Sequence, residues 1–139
     1  MDFKVDSRIS ESSIFLLDWP LSRLFLKNEQ RIPWLMLIPR VSHSRELMDL
    51  SLASQQQLMI EMVKAGQIIQ DCFNPDKVNM GALGNIVSQL HVHVLGRFAS
   101  DPWWPQSVWQ AEYQQQPLSE AMLAQWKLDL MPKLLGCFA

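Results

Sequence analysis

A chain of 139 residues, 48% hydrophobic and 19% charged, fits one ordinary domain that buries roughly two thirds of its unfolded surface around a single core, a balance that excludes intrinsic disorder. A formal net charge of −2 and a pI of about 5.9 exclude general attraction to a nucleic-acid polymer or an anionic membrane, which needs clustered Lys and Arg; any phosphate-handling site must be local. The opening stretch MDFKVDSRISESSIF has no apolar h-region, and no segment approaches the roughly 20 apolar residues that span a bilayer, so the expected location is the cytoplasm.

In chain order, Ser13 to Leu17, Arg23 to Lys27 and Trp34 to Ile38 are short apolar runs punctuated by Pro20, Asn28 to Gln30 and Pro39, the pattern of successive strands in a β-meander. Pro33 offers no ladder donor and belongs at the start of the third. After Pro39-Arg40-Val41-Ser42, His43 reads as a surface residue near a helix start. From Ser51, the spacing of Leu58, Met62, Ala65, Ile69 and Phe73 predicts a long amphipathic helix. It stops near Asn74-Pro75, with Gly66 as an interior weak point of about 1 kcal/mol. Met48, Met59, Met62 and Met122 fall at core spacings, and Glu46, Asp49 and Glu61 read as solvated helix charges.

Lys77 to Leu83 reads as a strand, Gly84-Asn85 as a turn, and Gln89 to Phe98 as a further strand, polar on one side and apolar on the other. Pro102 to Pro117 holds three of the six tryptophans and three of the eight prolines, an ordered irregular loop. Ser119 and Glu120 open a last helix with Leu123, Trp126, Leu130 and Leu134 on one face. Cys72 and Cys137 stand outside any CxxC pairing and read as ordinary thiols. The order of elements predicts an α+β fold with a mainly antiparallel sheet, one long central helix and a C-terminal helix.

The chemistry centres on QLHVHVLGR, Gln89 to Arg97. Alternation in a strand projects Gln89, His91 and His93 together while Leu90, Val92 and Val94 enter the core. Same-face neighbours lie roughly 7 Å apart, a spacing suited to two imidazoles flanking one phosphoryl group. A neutral imidazole, with a reference pKa of about 6.5, is a competent nucleophile toward phosphorus. Gly84 lets backbone approach an anion, the Asn85 amide can donate to a nonbridging oxygen, and Arg97 shares the face of His93 by alternation. Two other readings stand beside this one. The HxH pair with His43 can form a His-based zinc site, or the pair simply decorates a solvated sheet face. Trp103, Trp104 and Trp109 either cover the sheet as a packed loop or offer stacking surfaces to a nucleobase.

With these residues in place, the chain resembles the histidine-triad (HIT) superfamily, whose signature is His-φ-His-φ-His-φφ with φ apolar. Here the signature stands as Gln89-Leu90-His91-Val92-His93-Val94-Leu95, preceded by Gly84-Asn85, with WLMLIPR (Trp34 to Arg40) similar to the family's strand ending in Ile-Pro-Arg/Lys. The likeness covers about residues 14–110 of a single 1–139 HIT-like domain, leaving a helical extension at about 118–136. It implies a homodimeric, bacterial-type nucleotide hydrolase or nucleotidyl transferase that needs no cofactor. Its substrate would be a dinucleoside polyphosphate or a nucleoside phosphoramidate, cleaved at the 5′-phosphoryl bond. By the same resemblance His91 is the nucleophile, His93 and Asn85 contact phosphate, and Asn28 matches the residue that relatives place on the ribose hydroxyls. The first triad histidine is replaced by Gln89, which cannot shuttle a proton at neutral pH, and Ile86 stands where some relatives carry a hydroxyl. A nucleotide-binding module with little or no catalysis is the second reading.

Overall fold

The computed structural model describes residues 3–109 and 114–139. Five strands, Ser13–Asp18 (β1), Ser22–Lys27 (β2), Trp34–Pro39 (β3), Lys77–Gly81 (β4) and Val92–Arg97 (β5), form one sheet in the order β1-β2-β3-β5-β4. Every neighbouring pair is antiparallel. With the helices Ser7–Ser10 (α1), Leu52–Phe73 (α2) and Glu120–Gly136 (α3), this is the α+β architecture expected from the sequence.

The first three strands fall where the apolar runs place them, and the last two are shorter than alternation suggested. β4 ends at Gly81 rather than Leu83, and β5 begins at Val92 rather than Gln89. The reason is local: the Leu90 amide donates to the Ser44 carbonyl at 3.0 Å, and the Gln89 side chain bonds to the N-terminal segment. Both residues are drawn out of the ladder immediately before it starts.

All six residues of β3 are buried, because both faces of the sheet are covered. On one face Leu24, Leu26, Leu35, Leu37, Val92 and Val94 pack against Ala65, Ile68 and Ile69 of α2 and against Leu130 and Leu134 of α3. The other face carries Phe25, Trp34, Met36, Ile38 and Leu95 beneath Ile9 and Val108, with Phe3, Val5, Trp103 and Trp109 packed alongside. Apolar positions two apart on a strand thus feed two separate cores.

Ser51 caps α2 by accepting from the Ser54 amide, and Asn74, at φ 47°, ends it in the left-handed conformation just before Pro75. Gly66 is a point of close approach: a Cβ there would stand 2.7 Å from Met80 Cε on β4. Two sequence expectations are corrected on this helix and its approach. Glu61 is fully buried and accepts from the Leu21 and Ser22 amides at 2.8 and 3.0 Å; it belongs to the turn between β1 and β2, not to solvent. Met48 and Met59, assigned to the core by spacing, are 78% and 58% exposed. Ser119 caps α3 through the Met122 amide, and α3 joins the core shared by the sheet and α2.

Candidate functional site

His93 sits in β5 opposite Met36 of β3 and Gly81 of β4. Gly81 has no side chain to offer there, and the Trp109 ring takes the space: a Cβ on Gly81 would lie 3.2 Å from it. Trp109 and His93 ring centres are 5.4 Å apart. On the other side the Trp34 indole N–H donates to His93 Nδ1 at 2.9 Å. An indole nitrogen only donates, so Nδ1 must be the acceptor and the ring proton sits on Nε2. Burial, aided by the neighbouring His91 and Lys27, pushes the His93 pKa down to about 3; the ring is neutral.

His91 has the opposite tautomer. Its Nδ1 lies 2.6 Å from the Gln89 carbonyl oxygen, which only accepts, so Nδ1 carries the proton and Nε2 keeps its lone pair. The two rings meet edge to face with centres 4.9 Å apart. They are closer than the roughly 7 Å of flat strand geometry, because His91 precedes the first β5 pair and its ring is turned by the bond to Gln89. The pair therefore presents one nitrogen lone pair and one N–H, both held by second partners that settle which is which.

The Gln89 side chain does not share this face. Its Oε1 accepts from the Asp6 amide and its Nε2 donates to the Lys4 carbonyl, each at 2.7 Å. It clamps the N-terminal segment beside the site, while its backbone carbonyl orients His91. The Asp6 carboxylate adds a negative charge near His91; its hydrogen bonds with Arg8 hold its pKa down to about 2.

Gly84, at φ 68°, shapes the loop before the pair, and with Gln89, Leu90 and His91 it lines a narrow cavity of about 100 Å³. Asn85 follows it, exposed. His91, His93, Gln89 and Gly84 are thus brought together, with Asn85 adjoining.

Arg97 and Asn28 are not. Arg97 is 2% exposed, and its fork is spent on Asp101 at 2.8 and 3.0 Å and on Asn79 Oδ1 at 3.0 Å. Asp101 also accepts from the amides of Phe98, Trp103 and Trp104. Arg97 therefore builds the turn that launches the tryptophan loop instead of meeting an anion beside His93. Asn28 accepts from the Leu118 amide at 2.9 Å, securing the approach to α3. His43 has φ 61° and lines a different, larger cleft. Among the described residues no three His, Cys, Asp or Glu side chains gather to hold a metal ion.

Trp109 covers His93 as the packed-loop reading of the tryptophan stretch expected. Two contributors escaped sequence reading: Trp34 as the partner of His93, and the segment from Lys4 to Asp6. Each meets the site across a separation such as the 59 residues between Trp34 and His93, for which a single sequence carries no signal.

An antiparallel sheet that presents two imidazoles of opposite tautomer beside a glycine loop is a frame for handling a phosphoryl group. The model of the HIT domain matches residues 9–100, and the chain belongs to the HIT family, whose members are generally nucleotide-binding hydrolases or transferases. It is similar to the crystal structure of a histidine triad protein from Marinobacter aquaeolei, at 35% identity over 99% of this chain and 98% of that one, with a TM-score of 0.93. Histidine triad proteins from Bradyrhizobium japonicum (34% identity, 94% and 97% of the two chains, TM-score 0.91) and Sinorhizobium meliloti (33%, 94% and 96%, 0.89) are similarly alike. A comparison with curated proteins found no match. Among the described residues no helix is long and apolar enough to cross a membrane.

Proposed function

We propose that this chain is a nucleotidyl hydrolase or transferase that cleaves a nucleoside 5′-phosphoryl bond, as in a dinucleoside polyphosphate or nucleoside phosphoramidate, through a nucleotidyl-histidine intermediate. The observation that carries this reading is the 2.6 Å contact between His91 Nδ1 and the Gln89 carbonyl, which leaves the Nε2 lone pair of a cavity-lining ring free to attack. In the first step His91 Nε2 bonds to phosphorus, and the bond from phosphorus to the leaving group breaks with its electron pair. The resulting imidazolium keeps its Nδ1–H, which donates to the Gln89 carbonyl. Water or another acceptor then attacks phosphorus, gives its proton to solvent, and expels His91.

In this scheme the neutral His93, with its proton on Nε2, donates to a nonbridging oxygen, and Gly84 and Asn85 approach the same phosphate. A well-aimed donor of this kind contributes about 3 kcal/mol to transition-state stabilisation. Gln89 stands in the place of the first triad histidine as a clamp and shuttles no proton. A homodimer is proposed as the working form, supported by the outer edge of β4, which no strand among the described residues covers, and by the exposed Met59, Ile60 and Val63 of α2.

Replacing His91 tests the assignment. His91→Ala should lower release of nucleoside monophosphate about a thousandfold or more while circular dichroism and nucleotide affinity stay near wild type; retained turnover refutes it. A wild-type protein that binds nucleotide and never turns it over would instead be a binding module.

A further inference from the structure

A cleft of about 470 Å³ shares Gln89 and Arg45 with the narrow cavity at His91. Its two walls are pinned to consecutive residues. Gln89 holds the segment from Lys4 to Asp6 through both ends of its amide, and the Leu90 amide holds Ser44 in the loop from Ser42 to Arg45. The next residue is His91. Anything seated in the cleft is therefore held in register with the imidazole within one or two residues of backbone.

The lining carries the positive side chains of Lys4 and Arg45, both on exposed residues. Among the described residues neither is within ion-pair distance of a carboxylate. The one carboxylate of the lining, Asp6, is already bonded to Arg8. His43 is held beside them at φ 61°, a backbone conformation that costs a non-glycine residue on the order of 1 kcal/mol or more and points toward functional use.

The proposed chemistry requires such a place. Both ends of the Gln89 amide are spent on backbone, and a neutral amide has no proton to give. His93 is neutral, with its ring already bonded to Trp34. Neither of these two side chains offers an acidic proton to a strongly basic leaving group such as the amine of a phosphoramidate, so of the two substrate classes proposed above the pair favours the polyphosphate, whose leaving group departs as an anion.

Resting on the function proposed above, we infer that the cleft between the Lys4–Asp6 segment and the Ser42–Arg45 loop is the leaving-group subsite, and that it takes a polyphosphate chain. Lys4 and Arg45 supply charge-assisted contacts to its oxygens, and the scissile bond is thereby laid against His91.

The test compares two substrates whose leaving groups both depart without a proton but differ in charge: diadenosine tetraphosphate and the p-nitrophenyl ester of adenosine monophosphate. Lys4→Gln should raise KM for the tetraphosphate about fivefold, the scale of one solvent-facing charged contact, and leave KM for the ester within about twofold. Lys4→Gln/Arg45→Gln should raise the tetraphosphate KM further. Equal changes for the two substrates, or no change in either, overturn the subsite. If wild-type protein turns over neither substrate, the catalytic reading falls on its own. The cleft is then judged by calorimetry with inorganic tripolyphosphate, where equal affinity of wild type and double variant overturns it and loss in the double variant supports a polyphosphate site.

Discussion

At the scale of single residues, the two imidazoles show how one side-chain type is divided into two roles by its second partner. A carbonyl at His91 Nδ1 fixes a lone pair outward, and an indole N–H at His93 Nδ1 fixes a proton outward. The arrangement has a cost that depends on pH. In the unfolded chain His93 titrates near the reference value of about 6.5, whereas in the fold burial brings it to about 3. Between these values the unfolded state holds more protons, so stability present above pH 6.5 is lost as pH falls, by about 1.4 kcal/mol per pH unit. Urea titrations at pH 7 and pH 5 should show wild type losing about 2 kcal/mol more between the two than His93→Gln does. Equal losses would mean that His93 titrates normally in the folded protein.

At the scale of elements, Glu61 shows what a helix position can conceal. Its spacing between lysine and glutamine made it look solvated, yet it is fully buried and tied to the turn between β1 and β2 through two backbone amides, with Gln57 as a third donor. Glu61→Ala would strand those amides, at a cost of about 2–4 kcal/mol in chemical denaturation, while Glu61→Gln keeps one acceptor and should lose less. A Glu61→Ala change below about 0.5 kcal/mol would show that water satisfies the turn instead. The same contrast explains how much was legible beforehand. Apolar periodicity located the first three strands, α2 and α3 within a residue or two, because burying a face is a local pattern repeated many times. Ser51, Asn74 and Ser119 acted as the caps their chemistry favours. What escaped was decided by single polar contacts between distant segments: Gln89 with Lys4 and Asp6, Arg97 with Asp101, Asn28 with Leu118. Alternation put Arg97 on the correct face, but it carried no information that a carboxylate four residues on would take the guanidinium. The histidine pair was legible as a pair; its opposite tautomers were not, because Trp34 comes from another strand.

At the scale of the whole molecule, the sheet ends in β1 on one side and β4 on the other, and among the described residues no strand pairs with the outer edge of β4. Beside that edge Met80 is 40% exposed, and it reaches over Gly66, which shares a stripe of α2 with Val63 and Met59 at three- and seven-residue spacing. Val63 and Met59 are 47% and 58% exposed, with Ile60 adjoining. In the homodimer proposed above, a second copy would pair β4 with β4 and pack α2 against α2 about a two-fold axis. Light scattering after gel filtration should therefore give wild type twice the chain mass. Val63→Lys places a charge at the centre of that stripe on an already exposed position, so it should leave the fold intact and shift the mass to that of one chain at micromolar concentration. Monomeric wild type, or a Val63→Lys protein still at twice the chain mass, would remove this surface as the interface. Loss of turnover on dissociation would further show that the partner copy completes the site, whereas a fully active monomer would confine the chemistry to one chain.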